Sequence, residues 1–450
     1  MSLIYHLSWP AWVAIAVTVI AIVMIVIRLG GRLFGGTPGQ DVLIAGGFVP
    51  DPFYGIGWFG VNEPIQSADL YHLDSTSFSN AGDMGIGRVG QTATKLNNGT
   101  VLIAGGADQS TALYNRLTRS FVDGPNLNQP RQFHTATLLT DGTVLIAGGN
   151  ADGRAEIFDD SGNGSFSLLN NPMSFPRSGH TATMLADGRV LVAGGYDHQS
   201  GAATRTAEIY DPASKTFTLV IDAQGGTNAL QQARIFHTAS LLDNNKVLIA
   251  GGLDRISADA EAAQRLSTGE IYDPDFLPDT LHGAFVLVGN PAPGPGSQMT
   301  EGRVMHTQIS IAGGQAVIAG GTSWFNGAVI GLKTADLYVS ARDDPYGAAT
   351  GSFLAIPGGL AYPRGGHAAT TLPDGTVLIA GGIDATVVEG AGTLRNDAEL
   401  YDPNGGDPSL PVQPGALRLI VLPSSSDSSP AQPHMQHPRF GATATLLDLV

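Results

Sequence analysis

The stretch RQFHTATLLTDGTVLIAGG, from Arg131 to Gly149, recurs through most of the chain and decides its fold. It returns with few changes at residues 177–195 and 364–382, and looser copies begin at Arg88, Arg234 and Arg303. Two incomplete copies flank these six. A second half, VLIAGG, starts at Val42, and a first half, RFGATATLL, starts at Arg439.

Each copy predicts a β-hairpin. HTATLL alternates small or polar residues with apolar ones, and TVLIAGG is a short β-branched run, both of which are typical of strands. The Asp-Gly between them accepts the positive φ angles of a tight hairpin turn. The closing Gly-Gly allows a sharp bend or a close approach to a neighbour, where a Cβ would collide.

Two further strands follow each hairpin. The third has sequences such as AEIYDP and starts at Ser67, Ala155, Ala207, Gly269, Ala335 and Ala398. The fourth carries one large apolar residue: Phe78, Phe121, Phe166, Phe217, Phe285, Phe353 or Leu417. Four antiparallel strands per repeat predict the blade of a β-propeller, and the fold class is all-β.

The number of blades follows from two sets of markers. Seven double glycines end the second strands of the repeats, and seven arginines start the first strands: Arg88, Arg131, Arg177, Arg234, Arg303, Arg364 and Arg439. The sets are offset by half a repeat, so the strand after Arg439 is predicted to complete the blade opened by residues 41–47. Such closure removes free sheet edges. Residues 41–450 are therefore predicted to form one seven-bladed propeller closed by a C-terminal strand.

The motifs R-x-x-H-T-A, D-G-x-V-L-x-A-G-G and A-E-I-Y-D-P resemble the kelch repeat, in the variety found in bacterial kelch proteins and in the galactose oxidase propeller. The resemblance covers about residues 41–450 and implies a propeller whose first strands line a central channel. It implies no activity, because kelch propellers serve as enzymes, sugar binders and protein scaffolds. Galactose oxidase holds copper through Tyr and His, with one Tyr joined to a Cys. This chain has no Cys, which excludes that copper-radical cofactor.

Composition limits the partners. A net charge of −16 argues against nucleic acid, because phosphate binding needs a basic face. The absence of Cys also excludes disulfides and thiolate metal sites. No cofactor or metal is predicted. His134, His180, His237, His306 and His367 recur once per blade, and we interpret each as packing or hydrogen-bonding within its own blade. His434 and His437 are close in sequence, but two ligands do not make a metal site.

Residues 9–29, WPAWVAIAVTVIAIVMIVIRL, predict one membrane-spanning helix, and residues 30–40 a Gly-rich tether. Residues 1–8 contain no Lys or Arg, which argues against a cleaved signal peptide. Arg28 and Arg32 favour a cytoplasmic propeller. The low content of charged residues favours the extracytoplasmic side, periplasmic or cell-surface, and we lean to that side for this single-pass membrane protein.

The arginines allow two interpretations. As a ring at the channel mouth they would offer bidentate donors to an acidic sugar. As structural groups they would pair with an acid on the third strand and so pin neighbouring blades together: Asp69, Glu156, Glu208, Glu270, Asp336 or Glu399. We favour pairing, because unpaired buried charge is costly. The second blade has Ala112 at this position, so Arg88 or Arg131 would have spare donors.

The loops after the double glycines and before the arginines vary in length and emerge on one face, where binding is expected. Its candidate binding residues are Phe53, Tyr54, Trp58, Phe59, Trp324 and Phe325. The sequence thus predicts a membrane-anchored scaffold that binds a protein or a glycan, and an accessory subunit of a membrane complex is one form that this role can take. The alternative is an epimerase-like, carbohydrate-active enzyme that uses the channel-mouth arginines. The sequence leaves enzymatic activity open and favours the binding role.

Overall fold

The computed structural model describes residues 41–49, 63–73, 75, 77–106, 108–221, 229–256, 263–275, 283–289, 294–325, 328–343, 349–384, 393–405, 416–419, 435 and 442–447. All regular elements in these residues are β-strands. The predicted membrane helix at 9–29, the tether at 30–40 and the aromatic residues between 53 and 59 lie outside this set. Within the set, no helix has the length and hydrophobicity needed to span a bilayer.

Seven sheets in the described residues have four antiparallel strands, and we number them by the order of the repeats. Sheet 1 contains Thr443–Leu446, Asp41–Ala45, Ser67–His72 and Ser77–Asp83. Sheet 2 contains Thr92–Lys95, Val101–Ala104, Thr111–Asn115 and Ser120–Asp123. Sheet 3 contains Thr135–Leu138, Val144–Ala147, Glu156–Asp159 and Ser165–Leu168. Sheet 4 contains Thr181–Met184, Val190–Ala193, Ala207–Asp211 and Thr216–Leu219.

The remaining sheets repeat this order. Sheet 5 contains Thr238–Leu241, Val247–Ala250, Gly269–Asp273 and Ala284–Leu287. Sheet 6 contains Thr307–Ile311, Gln315–Ala319, Ala335–Val339 and Ser352–Ala355. Sheet 7 contains Ala368–Thr371, Val377–Ala380, Ala398–Asp402 and Ala416–Leu419.

Sheet 1 is assembled from both ends of the described chain. Its first strand pairs antiparallel with its second, with Val42 opposite Leu446 and Ala45 opposite Thr443. The Thr443 hydroxyl also donates a hydrogen bond to the Ala45 carbonyl, across 398 positions of sequence. The half-repeat offset between the arginines and the double glycines predicted this pairing.

The hydrophobic core is divided into clusters between successive sheets, which explains the apolar VLIA strands. Val144 and Ile146 pack against sheet 2, whereas Leu145 and Ala147 pack against sheet 4. A strand buried on both faces is apolar throughout rather than alternating. The first strands of successive sheets also lie side by side, and that of sheet 7 lies beside Thr443–Leu446. This succession of four-stranded sheets is that of a β-propeller.

The large apolar residue of the fourth strand packs on an aromatic ring of the third. In six sheets the two rings are directly cross-strand, with centroids 4.9–5.8 Å apart. The pairs are Tyr71–Phe78, Tyr114–Phe121, Phe158–Phe166, Tyr210–Phe217, Tyr272–Phe285 and Tyr338–Phe353. Tilted or edge-on contacts at this separation are the favourable ones for aromatic rings.

The two ends of the sheets differ. One end, the turn face, carries the turns between the first and second strands, at Asn98, Asp141, Asp187, Asn244 and Asp374. The other end, the loop face, carries the double glycines, the arginines and the loops beside them. Four loops contain additional short strands: Phe48–Val49 with Glu63–Pro64, Arg177–Ser178 with Tyr196–Asp197 and Ala202–Ala203, Thr322–Phe325 with Ala328–Gly331, and Ile383–Asp384 with Thr393–Leu394.

Candidate functional site

Six of the seven arginines that start the first strands lie among the described residues, and they are buried beneath the loop face rather than exposed at a channel mouth. Arg88 and Arg131 are 1% exposed, and the other four are fully buried. Each guanidinium donates through an η nitrogen to the carbonyl of the first glycine of its own sheet, at 2.7–3.0 Å. Arg439 lies outside the described residues.

Five of these arginines form an ion pair with a third-strand acid, as predicted, but the acid belongs to the arginine's own sheet, so the expectation that the pairs pin neighbouring blades together was wrong. The pairs are Arg131–Glu156, Arg177–Glu208, Arg234–Glu270, Arg303–Asp336 and Arg364–Glu399, with N···O distances of 2.5–3.0 Å. Burial lowers the pKa of Arg177 and Arg234, and the paired glutamate opposes that shift in each case. Since their guanidinium N–H groups are hydrogen-bonded to carboxylates and carbonyls, these five arginines do not present free donors to an acidic sugar.

The same carboxylates hold the loop that precedes each arginine. They accept hydrogen bonds from the backbone N–H three positions before the arginine: Asn128, Ser174, Gln231, Thr300 and Ala361. A carboxylate that accepts both guanidinium and amide hydrogens is a strong, charge-assisted acceptor. Each acid therefore connects its strand, its arginine and the incoming loop.

The arginine backbone links neighbouring sheets. The N–H of each second glycine donates to the carbonyl of the arginine in the following sheet, at 2.7–3.1 Å. The bonds run from Gly47, Gly106, Gly149, Gly195, Gly252 and Gly321 to Arg88, Arg131, Arg177, Arg234, Arg303 and Arg364. The side chain thus binds its own sheet while the carbonyl binds the sheet before it.

The five histidines also contact the preceding sheet, so our within-blade interpretation was wrong. Each Nε2 is hydrogen-bonded to a threonine hydroxyl of the preceding first strand, at 2.8–3.0 Å. The pairs are His134–Thr92, His180–Thr135, His237–Thr181, His306–Thr238 and His367–Thr307. Burial, reinforced by the nearest arginine, lowers the pKa of His134, His237 and His367 to about 3. These rings are neutral at neutral pH.

The first glycine of each pair makes room for that histidine. A Cβ on Gly194 would lie 2.7 Å from Cε1 of His237 and 2.8 Å from the Arg234 carbonyl oxygen. Gly194 also has a φ of 61°, which favours glycine. The double glycine therefore allows the close approach of the following sheet at this point.

The residues two positions after each arginine lie just before the first strands, and several of them are hydrogen-bonded to the equivalent residue of the neighbouring sheet. All have positive φ, at Gly90, Phe133, Gly179, Phe236, Met305 and Gly366. Backbone hydrogen bonds of 2.9 Å join Phe133 to Gly90, Gly179 to Phe133, Phe236 to Gly179 and Gly366 to Met305. Phe133 and Phe236 also touch edge-to-face, with ring centroids 5.9 Å apart.

One recurring residue escaped the sequence analysis. The position four before each arginine is always Met or Leu and is buried: Met84, Leu127, Met173, Leu230, Met299, Leu360 and Met435. Its backbone N–H bonds to the loop before the third strand, as Leu127 does to Gln109 and Met173 to Gly153. The signal was available as a Met or Leu at a constant spacing from Arg.

The predicted aromatic binding residues are only partly covered by the structure. Trp324 and Phe325 lie on the hairpin Thr322–Phe325, on the loop face, but their side chains are outside what the structure describes. Phe53, Tyr54, Trp58 and Phe59 lie outside the residues that the structure describes. The structure therefore brings no predicted aromatic pair together, and their binding role remains a prediction.

The described residues do not fit a copper centre of the oxidase kind. Nowhere among them do three His, Asp or Glu side chains come close enough to share an ion. The five recurring histidines belong to five different sheets, and their Nε2 atoms are engaged by threonine. The sequence has no Cys for a Tyr–Cys cofactor.

Comparisons with known proteins agree with this architecture. Residues 176–220, which contain all four strands of sheet 4, match the family model of the Kelch motif. The chain is similar to the solved structure of a fungal alcohol oxidase of the AA5 family in complex with copper, with a TM-score of 0.50 and 18% sequence identity. The match covers 69% of this chain and 62% of the oxidase, so the chain spans less than two thirds of that protein. This likeness shows the fold alone. No curated protein matches the chain.

Proposed function

Because the chain carries kelch repeats folded as a β-propeller, we propose that it is a closed seven-bladed propeller that binds a partner protein through its loop face. We further propose that residues 9–29 hold it at a membrane as a single-pass anchor. Seven four-stranded sheets and the pairing of Thr443–Leu446 with Asp41–Ala45 support the closed ring. The uncharged run from Ala11 to Ile27 supports the anchor.

One observation carries the binding role: on the loop face, loops of different length and sequence are anchored by hydrogen bonds that recur from sheet to sheet. The arginine, histidine and glycine contacts recur from sheet to sheet with nearly equal distances. The loops that follow the double glycines range from short connections, such as residues 150–155, to hairpins such as Thr322–Phe325 with Ala328–Gly331. Variable loops on a rigid scaffold are the usual arrangement of a recognition surface.

The carbohydrate-active alternative loses its main support. It requires arginines with open donors converging with acids and histidines at the channel mouth. In sheets 3 to 7 the arginines are paired with their acids, and the histidines with threonines. We therefore favour a protein partner over an acidic sugar. On composition, we propose that the propeller lies outside the cytoplasm.

The test compares two variants of the full-length chain in solubilised membranes. In the first, residues 323–330 are replaced by a short Gly-Ser linker, which removes the hairpin with Trp324 and Phe325. In the second, Asp187→Ser and Arg189→Ser alter the turn face of sheet 4. We expect both variants to keep the native melting temperature. Only the hairpin variant should lose a protein that co-purifies with the unmodified chain.

The proposal fails if the hairpin variant retains every co-purifying protein, or if the turn-face variant loses the same one. Quantitative mass spectrometry of the purified complexes distinguishes these outcomes. A melting curve for each variant shows that any loss reflects the surface rather than unfolding.

A further inference from the structure

Asp41, the first of the described residues, lies on the turn face. It is opposite His72 at the end of the third strand of sheet 1, and its carboxylate is 2.8 Å from Nδ1 of that ring. The tether at residues 30–40 joins Asp41 to the membrane anchor proposed above, and a flexible tether of that length spans about 20 Å. An anchor at residues 9–29 would therefore hold the turn face, rather than the loop face, close to the bilayer.

The connection between the third and fourth strands of sheet 2 lies beside Asp41. Nη2 of Arg119 is 3.8 Å from Oδ2 of Asp41, yet the Arg119 side chain is 59% exposed. Leu117 is 74% exposed, which makes it the most exposed large apolar residue in the part of the chain that the structure describes. Arg116, next to it, is half-buried. An apolar side chain flanked by two cations thus lies close to the point at which the tether joins the propeller.

The fold does not require a leucine at this position. The side-chain oxygen of Asn115 accepts the N–H of Leu117, and four other sheets form the same turn with an aspartate as the acceptor, all at 2.9–3.0 Å. In those turns the donor residue is polar or small: Ser161, Ala213, Asp275 and Asn404. Because sheet 2 has asparagine in place of that aspartate, residues 115–119 carry two cations and no acid, in a chain of net charge −16.

We propose that Arg116, Leu117 and Arg119 form a surface that contacts an anionic lipid bilayer, an inference that rests on the membrane anchor proposed above. Leu117 enters the headgroup region, and the two guanidinium groups bind lipid phosphates. Binding to a bilayer surface grows with the buried apolar area and with attraction to anionic lipids. One leucine and two arginines bind weakly by themselves, but the tether keeps the bilayer at a high effective concentration. The loop face then points away from the membrane, open to a partner protein.

The experiment uses the full-length chain in lipid nanodiscs made of phosphatidylglycerol and phosphatidylcholine. Because the chain has no Cys, Thr118→Cys gives a single site for a fluorophore beside the intact Leu117. Ser214→Cys is the matched control, since Ser214 holds the same place in the turn of sheet 4. Lipids with a quencher near the headgroup should quench the fluorophore at position 118 and leave the one at position 214 unchanged.

Substitutions beside the Thr118→Cys label test which groups hold the surface to the bilayer. Arg116→Ser with Arg119→Ser should lower the ratio of docked to undocked chains about 25-fold, since each arginine near an anionic surface contributes about fivefold. Leu117→Ser and discs of phosphatidylcholine alone should lower the ratio as well. Melting curves in detergent, which we expect to be unchanged, show that the propeller stays folded.

The proposal is overturned if positions 118 and 214 are quenched equally, or if the double arginine variant is quenched as strongly as its parent. It is also overturned if position 118 is not quenched in discs that contain the chain, and the surface would then face an acidic protein instead. Chains that fail to co-elute with the discs would disprove the anchor together with this surface. Chains that co-elute but carry an unquenched label would disprove the surface alone.

Discussion

The turn face and the loop face are built from the same repeats but are held together in different ways. On the turn face the connections are satisfied mainly within themselves: the Asp187 carboxylate accepts the N–H of Arg189, two residues away, at 3.0 Å. One hydrogen bond there crosses between sheets, from the Gly313 N–H to Asp243 at 2.8 Å. On the loop face such bonds recur at sheet after sheet, as from Gly149 to Arg177 and from His237 to Thr181. We therefore expect the turn face to tolerate substitutions better than the base of the loop face does.

The largest expected effect tests the ion pair within sheet 4. Arg177→Ala removes a fully buried guanidinium and leaves Glu208 as an unpaired buried carboxylate. The free energy of unfolding should fall by about 3–5 kcal/mol, as for other broken buried pairs. Denaturant unfolding monitored by fluorescence measures the change.

Arg189→Ala is the control on the opposite face of the same sheet. Its pair with Asp187 is partly exposed, at 33% and 48% of the two side chains, and should be worth less than about 1 kcal/mol. Equal decreases in the free energy of unfolding for Arg177→Ala and Arg189→Ala would show that the two faces are equally sensitive to the loss of an ion pair.

A smaller effect is expected from adding one methyl group to a glycine. Gly194→Ala adds a Cβ that would collide with His237 and the Arg234 carbonyl, at a residue with a φ of 61°. Unfavourable φ and overpacking together should cost about 2–4 kcal/mol. Gly188→Ala on the turn face has a φ of 87°, but its nearest neighbour, Thr140, would be 3.6 Å away.

The free energy of unfolding of Gly188→Ala should therefore fall only by the cost of the positive φ angle, about 1–2 kcal/mol. Melting temperatures of the two alanine variants make the comparison. If Gly188→Ala is the more damaging of the two, close approach between sheets is not the reason for the double glycine.

The third expected effect is a dependence of stability on pH. His237 has a pKa of about 3 in the folded chain, because it is buried beside Arg234, whereas an exposed histidine titrates near 6.5. The unfolded chain therefore takes up the proton first as the pH falls. The contribution of this neutral ring is complete above about pH 6.5 and is lost as the pH falls toward 3, by about 1.4 kcal/mol per pH unit.

The His237→Gln variant should show a shallower fall in unfolding free energy between pH 6 and pH 4, by about that amount. Arg189→Ala, altered on the turn face, should keep the full slope. An unchanged slope in His237→Gln would mean that the ring is protonated in the folded chain as well.

Sequence reasoning predicted contacts within a repeat better than contacts between repeats. The hairpin, the identity of the acids that pair with arginine and the gap at Ala112 all follow from residues that recur at constant spacing within one unit. The expectation that the Arg–acid pairs join neighbouring blades was wrong, because each acid lies in the arginine's own sheet. The histidine partners were misplaced because recurrence does not tell whether His237 meets a threonine of its own sheet or of the sheet before it. That choice depends on how successive sheets are inclined to each other. The positive φ angles of Phe133 and Phe236 were also missed, because a phenylalanine gives no sequence signal for a left-handed backbone.

Sheet 1 has a consequence for the order of folding. Asp41–Ala45 is made early, but its partner strand Thr443–Leu446 follows about 400 residues later, since Thr443 lies 398 positions after Ala45. At translation rates of about 5–20 residues per second, the wait is on the order of 20–80 s. During that time the edge of Asp41–Ala45 that later pairs with Thr443–Leu446 presents unpaired backbone groups, on which strands of other chains can add. The strands of sheets 2 to 7 are all made before Thr443–Leu446, so sheet 1 is the last of these seven sheets to be completed.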